Sequence, residues 1–469
     1  MQQIGVATLM STSNSSRGRR GLPRGPHGLT PSEVARNQRE RLIAAMTEAV
    51  AERGYTATPV SEVIERAGVS RKTFYVHFKD RRDCLMAAYE VAAQGTLSRL
   101  EAAKRSREFP RNKLSATVTA LSEAAAENPG AWRLQVSEIA AAGQDALLAR
   151  EQLILTLSGQ LRDGLSPSAS APPIPLLGLI SSALLQVIEQ RALTGQLEHS
   201  ADLVSELARW VRSYHPAPAV IASADGHSDQ TAQSTLGRSA PIGGRAPGTL
   251  SLTSRRPSDT GRSVSASFTA HSQRERILDA VANLCASKGY VALTVDEIVA
   301  VAGVSLNTFY EHFKDKDDAF LVANELGHLR GTAILQQTLD GASSWDAAVR
   351  EGLAALLGFF FSEPAFARMA AIDAPIASPQ IAARVRAHLA TYAELLFDGA
   401  PRSRRPPPVA QEAIASALHA AVFTYAVRGV IRHPARAHSY ATYLVLAPFL
   451  GPQKTFGSPS RRQAGRRRS

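Results

Sequence analysis

The sequence predicts an all-α chain built as two tandem modules, each a three-helix helix-turn-helix block followed by a helical bundle. Three observations carry this expectation. The chain repeats itself when slid by 235 residues. Few stretches alternate apolar and polar residues with period two, whereas Ala-, Leu-, Glu- and Arg-rich stretches with apolar residues at helical spacing recur throughout. A segment of different composition separates the two repeats.

The repeat is tightest between positions 38 and 83, where 23 of 46 residues are identical to those 235 positions later. Gln38-Arg39-Glu40-Arg41 falls on Gln273-Arg274-Glu275-Arg276, and Gly54-Tyr55 on Gly289-Tyr290. Ala67-Gly68-Val69-Ser70 falls on Ala302-Gly303-Val304-Ser305, and His77-Phe78-Lys79-Asp80 on His312-Phe313-Lys314-Asp315. Beyond that the match fades, although Pro129 still falls on Pro364. At 469 residues the chain has room for two such units. The expected division is a basic tail (1–33), a first reader block (34–96), a first helical bundle (97–215), a linker (216–268), a second reader (269–331), a second bundle (332–450) and a basic tail (451–469). The linker holds five Pro, six Gly, ten Ser and one aromatic residue, so it cannot bury enough apolar surface to order itself.

Each reader parses as three helices. The first spans about Ser32–Arg53 and about His271–Lys288, each closed by a glycine at the C-cap. The second spans Val60–Ala67 and Val295–Ala302. Thr294 and Glu297 suit a capping box, and Thr58 suits the cap of the first copy with Pro59 at the first helical position. Gly68-Val69-Ser70 and Gly303-Val304-Ser305 form a tight turn with a serine cap, and a third helix follows. Two helices joined by a short glycine turn are the unit whose second helix enters a DNA major groove. At 100° per residue, Phe74 and Phe78 face inward, leaving Arg71, Lys72, Thr73, Tyr75, His77 and Lys79 for phosphates and base edges. The second copy offers Asn307, Thr308, Tyr310, His312 and Lys314.

These runs resemble the N-terminal DNA-binding domain of the tetracycline-repressor (TetR) family. The resemblance covers about 36–96 and 271–331. It implies an all-helical homodimeric regulator with an effector domain behind each reader. Carried over, it places Thr73, Tyr75, His77 and Lys79, and Thr308, Tyr310, His312 and Lys314, against DNA. The duplication departs from the family's usual one module per chain, so two readers on one chain could form an intramolecular pseudo-dimer or pair with a second chain as a homodimer. The readers are also unequal. Positions 36–83 carry ten basic and seven acidic residues, whereas 271–318 carry five and eight. Arg71 and Lys72 become Leu306 and Asn307, and Val76 becomes Glu311.

The expected function is a sequence-specific DNA-binding regulator, a ligand-responsive repressor acting on a double-stranded operator. The alternative is a ligand-binding or protein-interaction scaffold whose readers are vestigial. Trp132, Trp345, Phe359, Phe360, Phe366 and Met369 are the candidate lining of a pocket for a small apolar effector; ordinary core packing at helical spacing is the competing reading. The apolar helices at 176–214 and 410–450 are the expected pairing surface.

Other classes are disfavoured. The net charge of +12 is concentrated in the tails, +4 over 1–32 and +6 over 451–469, which suits non-specific phosphate contact as well as plain solvation. Two lone cysteines argue against a disulfide scaffold and suit a reducing compartment. No apolar stretch reaches the ~18 residues of a membrane span. No Gly-rich phosphate loop, zinc-protease or hydrolase motif occurs, so neither an enzyme nor a cofactor is expected. The composition suits a cytoplasmic, nucleoid-associated bacterial protein.

Overall fold

The computed structural model describes residues 30–105, 112–165, 170–197, 200–222, 266–401, 405–427 and 434–456. Among these residues there are helices and no strand. The first half contains α1 (Pro31–Arg53), α2 (Val60–Ala67), α3 (Arg71–His77), α4 (Arg81–Lys104), α5 (Lys113–Glu127), α6 (Pro129–Val136), α7 (Gln144–Gly164), α8 (Ile174–Leu193), α9 (Ser200–Arg212) and the short α10 (Ala219–Ala222). The second contains α11 (Ala266–Lys288), α12 (Val295–Ala302), α13 (Leu306–His312), α14 (Lys316–Asp340), α15 (Trp345–Ser362), α16 (Pro364–Arg368), α17 (Ala374–Ala377), α18 (Pro379–Phe397), α19 (Pro408–Ala421) and α20 (Pro434–Leu450). The repeat therefore continues in the backbone after the sequence match has faded. Gln144 and Pro379, which open α7 and α18, are 235 residues apart, and the openings of α8 and α19 are 234 apart.

Several local expectations change. Helix α1 opens at Pro31, inside the stretch read as a tail, because Thr30 and Glu33 form a reciprocal capping box. Thr58 does not cap α2. Its hydroxyl is buried and donates to the Gly54 carbonyl at 2.8 Å, leaving Pro59 at the cap with no side-chain bond. Thr294 accepts from the Glu297 N–H, but its own hydroxyl donates to the Glu297 carboxylate at 2.6 Å, so half of the expected box forms. Helix α4 runs unbroken past residue 96 and α14 past residue 331, so each reader shares its last helix with the bundle behind it. Helix α10 and the start of α11 fall within the stretch expected to be linker. The remainder of that stretch, 223–265, and the tails at 1–29 and 457–469 lie outside the described residues.

The two halves pack on one another through α8, α9 and α19, and the chain following α9 reaches α20. Helix α8 buries Leu176, Leu177, Leu179, Ile180, Leu184, Val187 and Ile188, and α19 buries Val409, Ala410, Ala413, Ile414 and Ala417. Each large aliphatic side chain so buried contributes about 1.5–3 kcal/mol. Helix α8 is long and apolar enough to cross a membrane by composition alone, which the sequence reading did not anticipate; here it lies inside the helical core. Polar links fix the register. Arg191 binds Glu412 through both terminal guanidinium nitrogens, at 2.5 and 3.3 Å. The Tyr214 hydroxyl donates to the Leu444 carbonyl at 2.9 Å, and the Tyr443 hydroxyl to the Tyr214 carbonyl at 2.8 Å. Thr56, in the first reader's loop, donates to the Ala377 carbonyl of the second half at 3.3 Å.

Candidate nucleic-acid interface

The two readers are built alike. Gly68 and Gly303 close α2 and α12 in the left-handed region, φ 60° and 62°, where a side chain would be strained. Ser70 and Ser305 then cap α3 and α13 by accepting the N–H of Thr73 and Thr308, each at 3.0 Å. Arg41 braces the first turn by donating to the Ala67 and Gly68 carbonyls, and Arg276 does the same at Gly303. Phe74 and Phe309 are fully buried, and each packs on the phenylalanine four residues on, Phe78 or Phe313, with ring centroids 5.8 Å apart. Arg39 and Arg274 stack over those second rings at 5.3 and 5.4 Å. The signal for Arg41 and Arg276 was in the sequence, since both sit in the repeated Gln-Arg-Glu-Arg run.

This packing presents one face of α3. Arg71, Lys72, Tyr75, Val76 and Lys79 are exposed; Tyr75 keeps 50% of its surface and Val76 72%. Among the described residues, Arg71, Lys72 and Lys79 make no ion pair, whereas Arg66 on the neighbouring helix is held by Glu52 and Glu62. Thr73 is half-buried, with its hydroxyl 2.9 Å from that of Ser70. His77 departs from the expectation. It is turned back to α1, its Nε2 3.3 Å from Gln38 Oε1, and burial together with the Arg39 charge lowers its pKa. The contact ties the end of α3 to α1.

On α13, Leu306, Asn307 and Tyr310 are exposed and Thr308 is half-buried, and Lys314 is exposed just past the helix. His312 is half-buried, with its Nε2 sequestered from solvent. Glu311 is exposed in the place of Val76. The second reader thus offers one lysine where the first offers Arg71, Lys72 and Lys79.

A link absent from the sequence reading joins each reader to its bundle. Glu138 is 3% exposed and accepts from the Tyr55 N–H at 2.8 Å and from Arg133 Nη2 at 2.7 Å, while Arg133 Nη1 donates to the Ala51 carbonyl at 2.8 Å. In the second half, Asp373 is 2% exposed and accepts from the Tyr290 N–H at 2.9 Å, and Arg368 donates to the Cys285 carbonyl at 3.0 Å. Gly54 and Gly289, at φ 80° and 81°, let the chain pass close to these carboxylates; a Cβ at either would lie 3.2–3.3 Å from a carboxylate oxygen. Burial raises both carboxyl pKa values, that of Asp373 to about 6, against the opposing pull of the arginine and the backbone N–H. The sequence did carry a clue: Arg133/Arg368 and Glu138/Asp373 recur at the same 235-residue spacing as the readers. Asp373 closes a π-helical turn, Met369–Asp373, a form of backbone that concentrates at functional places.

Most of the six residues expected to line a pocket are packed in the core. Trp132 is fully buried with its Nε1 donating to the Leu185 carbonyl at 3.2 Å. Trp345 donates to the Leu396 carbonyl at 2.9 Å and lies on Phe449. Phe366 and Met369 are fully buried, and Phe359 rests on Phe366, with centroids 5.5 Å apart. Phe360 lines a cavity of about 40 Å³ shared with His328, Tyr392 and His419. These rings sit at helical spacing because they fill the core. A space of that size holds about one water.

The profile described as bacterial regulatory proteins of the tetR family matches residues 42–88 and 277–323. The chain is 29% identical over 97 residues to the HTH-type transcriptional activator FasR of Mycolicibacterium smegmatis, a match covering 21% of this chain and 44% of that protein. It is 28% identical over 79 residues to the fatty acid metabolism regulator protein of Bacillus subtilis, covering 17% and 41%. The matches thus span less than half the length of either relative. A TetR family transcription regulator from Marinobacter aquaeolei superposes with a TM-score of 0.30 at 20% identity, over 37% of this chain and 95% of its own.

Proposed function

We propose that this chain, a two-module protein of the tetR type, is a sequence-specific DNA-binding transcriptional regulator in which one chain supplies both readers. Helices α3 and α13 enter successive major grooves, about 34–36 Å apart on one face of the duplex. The observation that carries this reading is the exposed set Arg71, Lys72 and Tyr75 on α3, with Lys79 just past its end, whose three cations make no ion pair among the described residues while the phenylalanines are locked inward. Arg71, Lys72 and Lys79 hold phosphates or guanine edges, Thr73 and Thr308 meet thymine methyls, and Tyr75 and Tyr310 donate to phosphate. The packing of α8 on α19 supports an intramolecular pseudo-dimer, because it leaves the pairing helices of one half already covered by those of the other. The second reader binds more weakly or to a different half-site, since Glu311 faces the groove where the first reader has Val76.

Control is exerted through the two carboxylate links. Glu138 and Asp373 belong to the bundles and hold Tyr55 and Tyr290 of the readers, so a change in a bundle alters reader position. The regulator represses by occupying promoter DNA and is released by a small effector. Titrating the full chain into its own upstream region, with and without Arg71→Ala and Tyr75→Ala, tests the proposal. A reader loses affinity in both variants and shows steep salt dependence. Sequence-independent binding unchanged by either substitution rejects it and favours the scaffold reading.

A further inference from the structure

A second cavity, of about 100 Å³, lies between the two halves rather than inside either bundle. Ser137, Arg150 and Gln186 line it from the first half, and Ile372, His419 and Phe423 from the second. Ser137 adjoins Glu138 and Ile372 adjoins Asp373, so one space touches the chain beside both carboxylate links.

Its chemistry is set by Arg150. The guanidinium Nε donates to the Val136 carbonyl at 2.9 Å, and the group lies 5.9 Å from the Phe423 ring across the interface. Among the described residues Arg150 makes no ion pair. Glu189, whose charge it feels, is bound to Ser137 at 2.7 Å and is held partly protonated, its pKa raised to about 7 by burial. Glu151 also lines the wall, with its Oε2 buried. His419 is neutral, its pKa lowered by burial to about 4, and its Nε2 lies 3.5 Å from the Ala370 carbonyl. The space thus joins a permanent, under-compensated cation to walls of Ile154, Leu155, Leu179 and Ile376.

We infer that this inter-module cavity binds a small organic monocarboxylate, its head on Arg150 and its apolar body between α8 and the π-helical turn. An engineered cavity of about 150 Å³ takes benzene, so a body of about four or five carbons fits here. One ligand per chain then bears on both readers at once, a consequence that rests on the function proposed above; the binding itself does not.

The test uses hexanoate on the full chain, with hexan-1-ol as the uncharged match, read by titration calorimetry. Hexanoate binds with one site per chain. Arg150→Met weakens it by at least about tenfold, the loss of one charge-assisted contact, and leaves hexan-1-ol unchanged. Gly178→Leu, on the cavity wall where an added Cβ meets nothing closer than 3.8 Å, weakens both ligands and guards against a folding defect in the arginine variant. Absence of saturable hexanoate binding at about 10 mM, or equal binding by Arg150→Met, overturns the inference. A DNA titration with hexanoate present separates the two readings: loss of DNA affinity supports the coupling, and unchanged affinity with hexanoate bound overturns it. A chain that binds hexanoate and no DNA rejects the regulator while keeping the site.

Discussion

The buried Glu138 carboxylate accepts the Tyr55 backbone N–H at 2.8 Å, across 83 residues of chain. Asp373 meets Tyr290 in the same way, again across 83 residues, at 2.9 Å. The reader-to-bundle contact has therefore been kept in both halves although the residue type differs and the surrounding sequence has diverged.

Glu138→Ala removes the acceptor and leaves the Tyr55 N–H and the Arg133 guanidinium without it. Buried unsatisfied groups of this kind destabilise by about 1–3 kcal/mol each. A lowered midpoint in denaturant unfolding is expected, together with weaker DNA binding. Glu138→Gln, which keeps an acceptor, restores most of the stability. An alanine variant as stable as the parent contradicts the link.

Phe74→Ala and Phe309→Ala are expected to destabilise by about 3–5 kcal/mol, since both rings are fully buried. Tyr75→Ala and Arg71→Ala, at exposed positions, leave the melting temperature nearly unchanged. Thermal melts of the four variants check the division between core and surface.

Removing Arg71 or Lys72 is expected to lower the slope of log affinity against log salt by about one unit each, as one phosphate contact is lost. Glu311→Val removes a carboxylate from the centre of the outward face of α13 and is expected to strengthen DNA binding by the full chain. Affinity measured over a series of salt concentrations checks both.

Glu189 gives a pH dependence of definite sign. Its carboxyl pKa is raised from 4.5 to about 7 by burial, so the folded chain holds a proton that the unfolded chain releases. Its contribution is favourable below about pH 4.5 and is lost as pH rises through about 7. Glu189→Gln removes this loss. The variant is expected to gain about 3 kcal/mol over the parent at pH 8 and under about 1 kcal/mol at pH 5, measured by denaturant unfolding.

Much of the architecture was legible because a whole module is duplicated: one offset locates both readers, their glycine turns and the inward Phe74 and Phe309. The third helix's exposed face also follows from its period, with His77 the exception, because its bond to Gln38 depends on how α1 crosses α3. The carboxylate links were missed for a different reason. Arg133 and Glu138 look like ordinary helix-surface charges until the bundle is folded against the reader, and only the recurrence of both at the repeat offset marks them. The candidate pocket residues pose the converse difficulty. Trp132, Phe366 and Met369 are large and apolar, and helical spacing alone does not separate a side chain that lines a space from one that fills it. The cavity between the halves is formed by segments such as Arg150 and Phe423, whose meeting depends on the packing of α8 against α19.

The mass of the protein–operator complex tests the central claim most directly. Light scattering of the 50.1 kDa chain with a duplex carrying both half-sites is expected to give one chain per duplex. Affinity should fall when either Tyr75→Ala or Tyr310→Ala is introduced. Two chains per duplex, or a complex indifferent to both substitutions, contradicts a single chain supplying a paired set of readers.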